Sequence, residues 1–284
     1  MGVFERAVLV CVAAVFPAPA QSPAFEVVSV KQNLSQDFRR MNVEMLPGGR
    51  FTATNLALRW LLSLAYNVPV NPTERLSGIP PWAQDERYDI EAKAPEGAVP
   101  VGLPDSEFRA RMRIMLQGLL ANRFKAKVRK DTKEITVYAI MVGKDGPKMK
   151  QSEIDEKGCA ALTERPGCHD FNGGMGRGLH AKAVSMDDLA GYVENWTDHP
   201  VINRTGLDGL YAMETEGWAP MRLPPPPTGN VPNPAARPSG DGDMTDPARP
   251  TLFNIMQKLG LELRQQKGPV DFYIIERLER PEVN

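Results

Sequence analysis

Hydrophobic positions follow the same two-part pattern at two places in this chain. Residues 50–61 read RFTATNLALRWL, and residues 178–189 read GLHAKAVSMDDL. In each stretch, hydrophobic residues first alternate with polar ones, as in a strand with one buried face, and then recur every three or four residues, as in an amphipathic helix. The matching positions keep a constant offset of 128 residues, and they are Phe51, Ala53, Leu56, Leu58 and Leu61 in the first stretch and Leu179, Ala181, Val184, Met186 and Leu189 in the second.

Polar residues stand where each of the two helices begins. Asn55 is the predicted cap of the first helix, because an Asn side chain accepts hydrogen bonds from the free N–H groups of a first turn. Ser185, followed three residues later by Asp188, resembles a capping box at the start of the second helix. Each stretch is therefore predicted to contain a short strand, a polar cap and a helix.

The similarity between the two halves continues beyond these stretches. An alternating strand, a second helix and a hairpin follow in both halves. The predicted elements are the strands 88–92 and 211–215, the helices 108–122 and 252–259, a hairpin of 124–129 with 135–142, and a hairpin of 261–266 with 270–278 that turns at 267–269. Tyr138 and Tyr273 occupy equivalent positions in the two hairpins. An extra N-terminal strand is predicted at Phe25–Val30.

This order of elements predicts an α+β fold of two related βαβαββ halves, pseudo-duplicated, with mixed or antiparallel sheets. Chance similarity of two small α+β units is the alternative. The predicted boundaries are a signal peptide at 1–20, a first α+β repeat at 21–150, a linker with a cysteine pair at 151–176, and a second α+β repeat at 177–284. The second repeat carries a Pro-rich insertion at 221–250, whose composition is typical of a solvated loop or a docking segment.

The N-terminus predicts export. Ala7–Phe16 is a hydrophobic run of about ten residues, too short to span a bilayer, and Ala18-Pro-Ala20 supplies small residues at a cleavage site. Cleavage near Ala20 would deliver a periplasmic or secreted protein. A buried strand or helix at the start of the fold is the alternative. No later segment reaches membrane-spanning length, so none is predicted in the mature chain.

Cysteine usage agrees with an oxidising compartment. Removal of the leader removes Cys11 and leaves Cys159 and Cys168, an even number that predicts a disulfide. A zinc site including His169 is the competing hypothesis, but two thiols beside one histidine lack the usual paired ligand spacing, so no metal site is predicted. Free thiols are the third possibility.

Charge excludes one class of partner and leaves the others open. The formal net charge of −1 disfavours nucleic acid, whose binding needs a basic surface. Trp82 and Trp218 adjoin prolines and are predicted to line a groove for a peptide or a glycan. Core packing is the alternative for both tryptophans.

No residue is predicted to be catalytic. His169, His180 and His199 lie apart in the sequence and fit no metal-ligand pattern. A cysteine beside His169 imitates a thiol protease, but the cysteines are better explained as a bridge. Glu91 and Glu214 occupy equivalent positions, and a glycosidase-like pair would require both in one cleft. The sequence therefore favours binding over catalysis, and no cofactor is predicted.

Several longer segments carry a family resemblance that spans nearly all of the mature chain. They include FEVVSVK, GGRFTATNLALRWLLSLAYNV, GIPPWAQDERYDIEAKAP, PVINRTGLDGLYAMETE and LGLELRQQKGPVDFYIIERLERP. These segments resemble an exported, soil-associated bacterial family of unknown function that is typical of Acidobacteria. Related domains accompany membrane proteins similar to BlaR-type metallopeptidases. The resemblance implies export and a bipartite layout, and it supplies no catalytic residues.

The sequence thus predicts a binding or assembly module of the cell envelope or extracellular space, with an unknown envelope protein, peptide or glycan as partner. Two alternatives remain. One is an exported hydrolase with a site in the groove between the halves, and the other is a sensor ectodomain that acts with a membrane partner.

Overall fold

The computed structural model describes residues 23–35, 40–69, 75–159, 167–174, 176–219, 221 and 249–281. The predicted signal peptide and the predicted insertion, apart from its first residue and its last two, lie outside the described residues. Within the described ranges, the strands form three four-stranded sheets.

The first outer sheet comes from the N-terminal half. Its strands are β1 (Val27–Asn33), β2 (Asn42–Leu46), β3 (Arg50–Ala57) and β5 (Arg87–Lys93), in the order β1-β5-β3-β2. All neighbouring strands in this sheet run antiparallel. Phe51 and Ala53 are buried, as their alternation predicts.

The second outer sheet has the corresponding strand order. Its strands are β7 (Lys150–Gln151), β8 (Asn172–Gly174), β9 (Gly178–Val184) and β11 (Tyr211–Glu214), in the order β7-β11-β9-β8. Leu56 pairs with Tyr88 in the first sheet, and Val184 pairs with Tyr211 in the second. The register shifts at the neighbouring position in both sheets, so the two pairings also share an irregularity.

The third sheet lies at the centre and joins the two halves. Its strands are β4 (Leu76–Ser77), β6 (Lys127–Val142), β10 (Val201–Asn203) and β12 (Leu261–Arg277), in the order β10-β6-β12-β4. The long strands β6 and β12 pair antiparallel along their whole length. The short strand β4 adds in parallel at Tyr273, and β10 adds in parallel at Tyr138. Each short strand therefore pairs with the long strand of the other half.

The two predicted hairpins are wrong. Each half instead contributes one continuous strand, and Lys267-Gly-Pro269 continues β12 opposite Glu134–Thr136 of β6. A Gly-Pro pair is a strong local turn signal, but long-range pairing with β6 overrides it. The first part of β6 pairs with the last part of β12, so each strand that was expected to fold back within its own half pairs across the molecule.

Six α-helices and a short 3-10 helix are present in the described ranges. They are α1 (Leu58–Tyr66), α2 (Pro81–Asp85), α3 (Asp105–Arg123), α4 (Glu156–Cys159), α5 (Met186–Val193), α6 (Leu252–Lys258) and the 3-10 helix Glu194–Trp196. The predicted hydrophobic faces of two of them are buried, namely Leu58, Leu61, Leu62 and Ala65 in α1, and Met186, Leu189, Ala190 and Val193 in α5.

The two predicted helix caps have different outcomes. Ser185 caps α5 in a capping box with Asp188, as predicted. Asn55 does not cap α1, whose N-cap is Ala57 without a side-chain hydrogen bond. Asn55 instead has a left-handed backbone with φ of 56°, a conformation that Asn tolerates better than most residues. It lies in β3 where the register with β5 shifts, so its sequence signal belongs to a bulge.

Two large hydrophobic cores lie toward opposite ends of the paired strands β6 and β12, and each core contains residues from both halves. The first core surrounds α1 and α3 and includes Ile275 from β12 together with Leu278, which follows that strand. The second core surrounds α5 and α6 and includes Tyr138 and Ile140 from β6. Neither core is complete without the partner half.

The α+β class with mixed and antiparallel sheets is therefore confirmed. The internal duplication stays a prediction. Of the helices that the structure describes, none is at once long enough and apolar enough to cross a membrane.

Candidate functional site

A disulfide joins the two cysteines of the predicted linker. The bond links Cys159, the last residue of α4, to Cys168, and their Cα atoms lie 5.5 Å apart. Both cysteines are buried and pack with Ala183 and Leu210 in a small third core. The predicted disulfide is confirmed.

The disulfide places His169 against the second outer sheet. Cys168 forms an isolated parallel bridge with Ala183 of β9, and the His169 N–H donates to the Ala183 carbonyl at 2.8 Å. Arg109 Nη2 on α3 donates to the Cys168 carbonyl at 3.1 Å. His169 itself has φ of 53°, an uncommon backbone conformation for a residue other than glycine. These backbone contacts hold the segment that carries the imidazole against β9 and α3.

The His169 ring lies between carboxylates from three helices. We call Asp105, Glu156, His169 and Asp188 the histidine cluster. His169 Nδ1 is 2.6 Å from Asp188 Oδ2 on α5, and Nε2 is 3.2 Å from Glu156 Oε2 on α4. Asp105 Oδ2 on α3 lies 4.0 Å from Nε2. The imidazole side chain is only 5% exposed. From this buried position it contacts carboxylates of three helices.

The α5 capping box fixes the first of these carboxylates. Asp188 Oδ2 accepts hydrogen bonds from Ser185 N–H at 2.8 Å and from Ser185 Oγ at 2.6 Å. In return, Ser185 Oγ accepts from the Asp188 N–H at 3.1 Å. One carboxylate oxygen thus closes the helix start and binds His169. The capping motif predicted from the sequence therefore supplies one of the carboxylates around His169.

The electrostatics of the cluster favour a charged pair. Burial of the ring opposes protonation, but hydrogen bonds and charges from Asp188 and Glu156 outweigh burial, so the pKa of His169 is raised above its ordinary value. Burial would raise the pKa of Asp188, but its hydrogen bonds with His169 and Ser185 outweigh burial and lower that pKa. Both directions describe an imidazolium paired with a carboxylate.

Two residues of the histidine cluster, together with the neighbouring Cys159, also place donor atoms where they could surround a cation. Single ligand atoms of Glu156, Cys159 and His169 all lie within 4.8 Å of one another. In the oxidised chain, the Cys159 sulfur is bonded to Cys168 and is therefore a poor ligand, because a thiolate is the form that binds metals. Both ring nitrogens of His169 face carboxylates, so the geometry does not match a histidine that activates a thiol or a hydroxyl.

The other two histidines and the two repeat-related glutamates have separate environments. His180 Nε2 lies 3.0 Å from the Arg177 carbonyl, and His199 stacks on Tyr138 with ring centroids 5.6 Å apart. Glu91 is on β5 of the first outer sheet, whereas Glu214 is on β11 of the second. The glycosidase-like pairing therefore gains no support from their placement.

The two predicted binding tryptophans differ in exposure. Trp82 is half-buried on α2, and the Arg280 guanidinium lies 4.8 Å from the centre of its ring. Trp218 is fully buried in the second core, edge-on to Trp196 at 5.6 Å between centroids. Trp218 is thus placed as a core residue rather than as a groove lining, and a binding role for Trp82 stays a prediction.

A buried ion pair connects the two halves near the central sheet. Arg75 Nη1 lies 3.0 Å from both carboxylate oxygens of Glu194, and Glu194 is almost completely buried. Burial raises the pKa of Glu194, and Arg75 opposes this effect only in part. Arg75 also borders a cavity of about 290 Å³ with Val201 and Asp271. These contacts are explained by the joining of the halves.

A second concave surface lies beside β1. A cavity of about 310 Å³ opens between this strand and α3, with Phe25 and Val28 on one side and Leu119 and Arg123 on the other. The Arg123 Nη2 donates to the Val28 carbonyl at 2.7 Å. Because β1 is the last strand of its sheet among the described residues, this cavity borders an edge to which no further described strand is added.

The sequence singled out His169 but missed its partners Asp105 and Glu156. One signal was present: Glu156 lies three residues before Cys159, and His169 directly follows Cys168, so the disulfide predicts that Glu156 and His169 are neighbours. The contribution of Asp105 carried no such signal, since it comes from a helix that is 64 residues away in the chain from His169.

Fold and site together define a disulfide-bonded α+β protein in which two halves share a central sheet and a buried histidine joins three helices. Its family follows from sequence comparison. The chain belongs to the family described as a protein of unknown function, DUF3738, which it matches over residues 59–278. The match begins within α1 and ends after β12. No curated protein and no solved structure matches the chain.

Proposed function

We propose that this protein is an exported binding module of the cell envelope, and that it binds an extended segment of another envelope protein along β1. The observation that carries this proposal is the edge of β1, which is seven residues long, is joined by no further strand among the described residues, and borders the cavity beside α3. An exposed edge strand offers unpaired N–H and C=O groups, and an added strand satisfies them.

The lengths of the edge strands support β1 over the other edges that the structure describes. The edge strands β4 and β7 have two residues each, and β8 and β10 have three each. Very short edges are a common protection against unwanted pairing. The remaining edge strand, β2, has five residues but borders neither of the two cavities described above.

The backbone groups that face outward from β1 follow from its pairing. The Ala94 N–H donates to the Gly49 carbonyl, beside β3. The backbone N–H and C=O groups of every second residue in β5, counted from Ala94, therefore point toward β3, and those of the residues between them point toward β1. With Val27 opposite Lys93, the groups of Val28, Val30 and Gln32 point to the free edge. The Arg123 contact to the Val28 carbonyl agrees with this assignment and already occupies that acceptor, so the partner segment would pair at Val30 and Gln32.

Exposed apolar side chains mark the same edge. Val27 is 58% exposed, and Leu34, just beyond the strand, is 81% exposed. An added segment would place alternate side chains toward the cavity between β1 and α3, where Leu119 gives an apolar wall and Arg123 a charged rim. A partner segment with an apolar residue followed by a carboxylate fits these walls.

The predicted duplication restricts binding to the first half. On that prediction, β7 is the counterpart of β1, since each is the outer neighbour of the equivalent strands β11 and β5. Because β7 spans only Lys150–Gln151, the second half lacks a comparable edge within the described residues. The two halves would therefore share a fold and differ in function.

The proposal of export is supported by two independent features. The first is the predicted leader at 1–20, and the second is the Cys159–Cys168 disulfide, a bond that persists in oxidising compartments. N-terminal sequencing of the protein from the envelope fraction tests it, and a mature start near residue 21 is expected. Recovery of the intact Met1 start from the cytoplasm would contradict export.

A pair of substitutions at Gln32 tests binding at the β1 edge. Gln32→Pro removes an outward N–H from an exposed position, whereas Gln32→Ala keeps it. We expect Gln32→Pro to lose at least tenfold in the recovery of envelope proteins by crosslinked capture, with Gln32→Ala close to wild type. Mass spectrometry of the captured proteins gives the measurement.

Equal recovery by the two variants would exclude β1 as the binding edge. Deletion of residues 222–248 serves as a separate control, because the Pro-rich insertion is the other predicted docking segment. If capture depends on that deletion and not on Gln32→Pro, the insertion is the binding element. The hydrolase and the sensor ectodomain stay alternatives, and neither depends on the backbone N–H of Gln32.

A further inference from the structure

We infer that Glu156, Cys159, Cys168 and His169 form a zinc site when the Cys159–Cys168 disulfide is reduced. The inference concerns a surface different from the β1 edge, and it does not depend on the binding proposed there. It assigns the histidine cluster a state in which a divalent cation replaces the disulfide as the link between α4 and the segment around Cys168.

The first support is the position of the donor atoms. Ligand atoms of Glu156, Cys159 and His169 already lie within 4.8 Å of one another, and Cys168 Sγ is bonded to Cys159 Sγ. In a tetrahedral zinc site with bonds of about 2.0–2.3 Å, ligand atoms lie roughly 3.3–3.8 Å apart. The donors of Glu156, Cys159 and His169 therefore need shifts on the order of 1–2 Å to surround one ion. Reduction frees Cys168 Sγ from Cys159 and allows it to take the fourth position.

The second support is the orientation of His169. Asp188 Oδ2 binds Nδ1 at 2.6 Å, which leaves Nε2 directed at Glu156 Oε2. A carboxylate on one ring nitrogen is the usual partner of a histidine whose other nitrogen binds zinc. Asp188 is itself held by Ser185, so the orientation is built into the start of α5. Asp188 acts here as a positioning residue.

The chemical nature of the donors selects the metal. Two thiolates, one imidazole and one carboxylate combine soft and intermediate ligands, a set that suits Zn²⁺ and not Mg²⁺ or Ca²⁺, which prefer oxygen. Two thiolates and one carboxylate give three negative charges against the two positive charges of the ion. Arg109, which contacts the Cys168 carbonyl but also pairs with Asp105, reduces this excess negative charge only in part.

The redox step needs a dithiol reductant, such as an envelope thiol oxidoreductase. The S–S bond accepts two electrons and two protons from the dithiol, which becomes a disulfide, and Cys159 and Cys168 become thiols. Binding of Zn²⁺ then releases the thiol protons and any proton on His169 Nε2.

Metal titration of the full chain tests the inference. Cys11→Ser is present in every sample, so that Cys159 and Cys168 are the only remaining thiols of the three cysteines. A phosphine reductant, which becomes a phosphine oxide, replaces the dithiol because dithiols bind zinc themselves. We expect the reduced chain to bind one Zn²⁺ per molecule at least 100-fold more tightly than the oxidised chain, as measured by competition with a chromophoric chelator.

Cobalt gives a readout that does not depend on any site variant. Co²⁺ in the reduced chain should produce near-ultraviolet thiolate-to-metal absorption and visible bands typical of tetrahedral coordination. Far-ultraviolet circular dichroism before and after reduction checks the fold. A reduced chain that stays folded and shows neither band, or one that unfolds and is not refolded by zinc, would overturn the inference.

Matched variants assign the ligands. His169→Asn keeps a residue that tolerates the left-handed backbone, and Glu156→Gln keeps the side-chain shape. Each should weaken zinc binding by the reduced chain at least tenfold. His180→Asn and Glu153→Gln make the same replacements at exposed positions outside the cluster and should leave binding unchanged. Equal losses from the ligand variants and their controls would contradict the assignment.

Discussion

Asp188 combines two roles that the sequence presents separately. Its Oδ2 atom accepts the Ser185 N–H hydrogen bond of the capping box and a further hydrogen bond from Ser185 Oγ, and the same atom binds His169 Nδ1. An N-terminal helix position favours a carboxylate in any case, because the helix dipole stabilises negative charge there. The imidazolium therefore meets an acid whose ionised form is already favoured.

The opposite pKa shifts of His169 and Asp188 predict how stability depends on pH. The raised pKa of His169 contributes stability that is fully present below about pH 6.5 and is lost as the pH rises through the folded-state value. The lowered pKa of Asp188 contributes stability that is present above about pH 3.9 and is lost as the pH falls through its folded-state value. The pair therefore stabilises the fold most between these limits.

Urea unfolding of the oxidised chain from pH 5 to pH 9, with a chelator present, measures this effect. Wild type should lose stability relative to His169→Asn as the pH rises above about 6.5. Asp105 and Glu156 also face His169, and Arg109 and Arg113 lie near Asp105. All four residues remain in both proteins. His180→Asn should keep the wild-type dependence. A wild-type curve parallel to that of His169→Asn would show that the pair contributes no linkage.

At the scale of elements, two capping boxes allow a direct comparison. Ser185 with Asp188 begins α5, and Thr251 with Asn254 begins α6. Both helices are short, with eight and seven residues, and short helices depend strongly on capping and tertiary packing. The two boxes differ in that only the first contacts the histidine cluster.

Ser185→Ala and Thr251→Ala should each lower the free energy of unfolding by about 1 kcal/mol, because each removes the hydroxyl that accepts from one first-turn N–H, that of Asp188 or of Asn254. Only Ser185→Ala should also change the pH dependence, since it removes a hydrogen bond that lowers the pKa of Asp188. Chemical unfolding at about pH 3 and at about pH 6 measures both effects, because the contribution of Asp188 is lost only as the pH falls below about 3.9. Identical pH dependence in the two variants would mean that capping and the cluster are independent.

The two halves of the molecule are held together because strands of one half pair with strands of the other. Ile275, on β12, and Leu278, just beyond it, lie in the core around α1 and α3, while Tyr138 and Ile140 of β6 lie in the core around α5 and α6. Large buried side chains each contribute on the order of 1.5–3 kcal/mol. Each half on its own would lose the contributions of the core residues that the other half supplies. The Arg75–Glu194 pair adds a further connection.

Separated halves should therefore not fold alone. We expect residues 21–150 and residues 151–284 to lack fixed tertiary structure individually and to regain it when mixed, because β6 and β12 then pair. Near-ultraviolet circular dichroism reports folding, and analytical ultracentrifugation reports the complex. The intact oxidised chain should unfold in a single calorimetric transition. Two resolved transitions, or an isolated half with native-like spectra, would contradict this dependence.

Features that depend on neighbouring residues could be predicted from the sequence alone. Hydrophobic spacing identified the buried faces of α1 and α5, and Ser185 with Asp188 identified a helix start, since these signals arise within one or two turns. The disulfide followed from an even cysteine count in a predicted exported chain. The α+β class followed from the order of these local elements.

The pairing of the long strands and the surroundings of His169 became evident only in the folded molecule. Lys267-Gly-Pro269 carries the local chemistry of a turn, yet it continues β12 because pairing with β6 along its whole length outweighs that preference. Asp105, Glu156 and Asp188 are brought to one imidazole by three helices. Such contacts join distant segments, so their energies depend on the completed packing and leave no periodic pattern in the sequence.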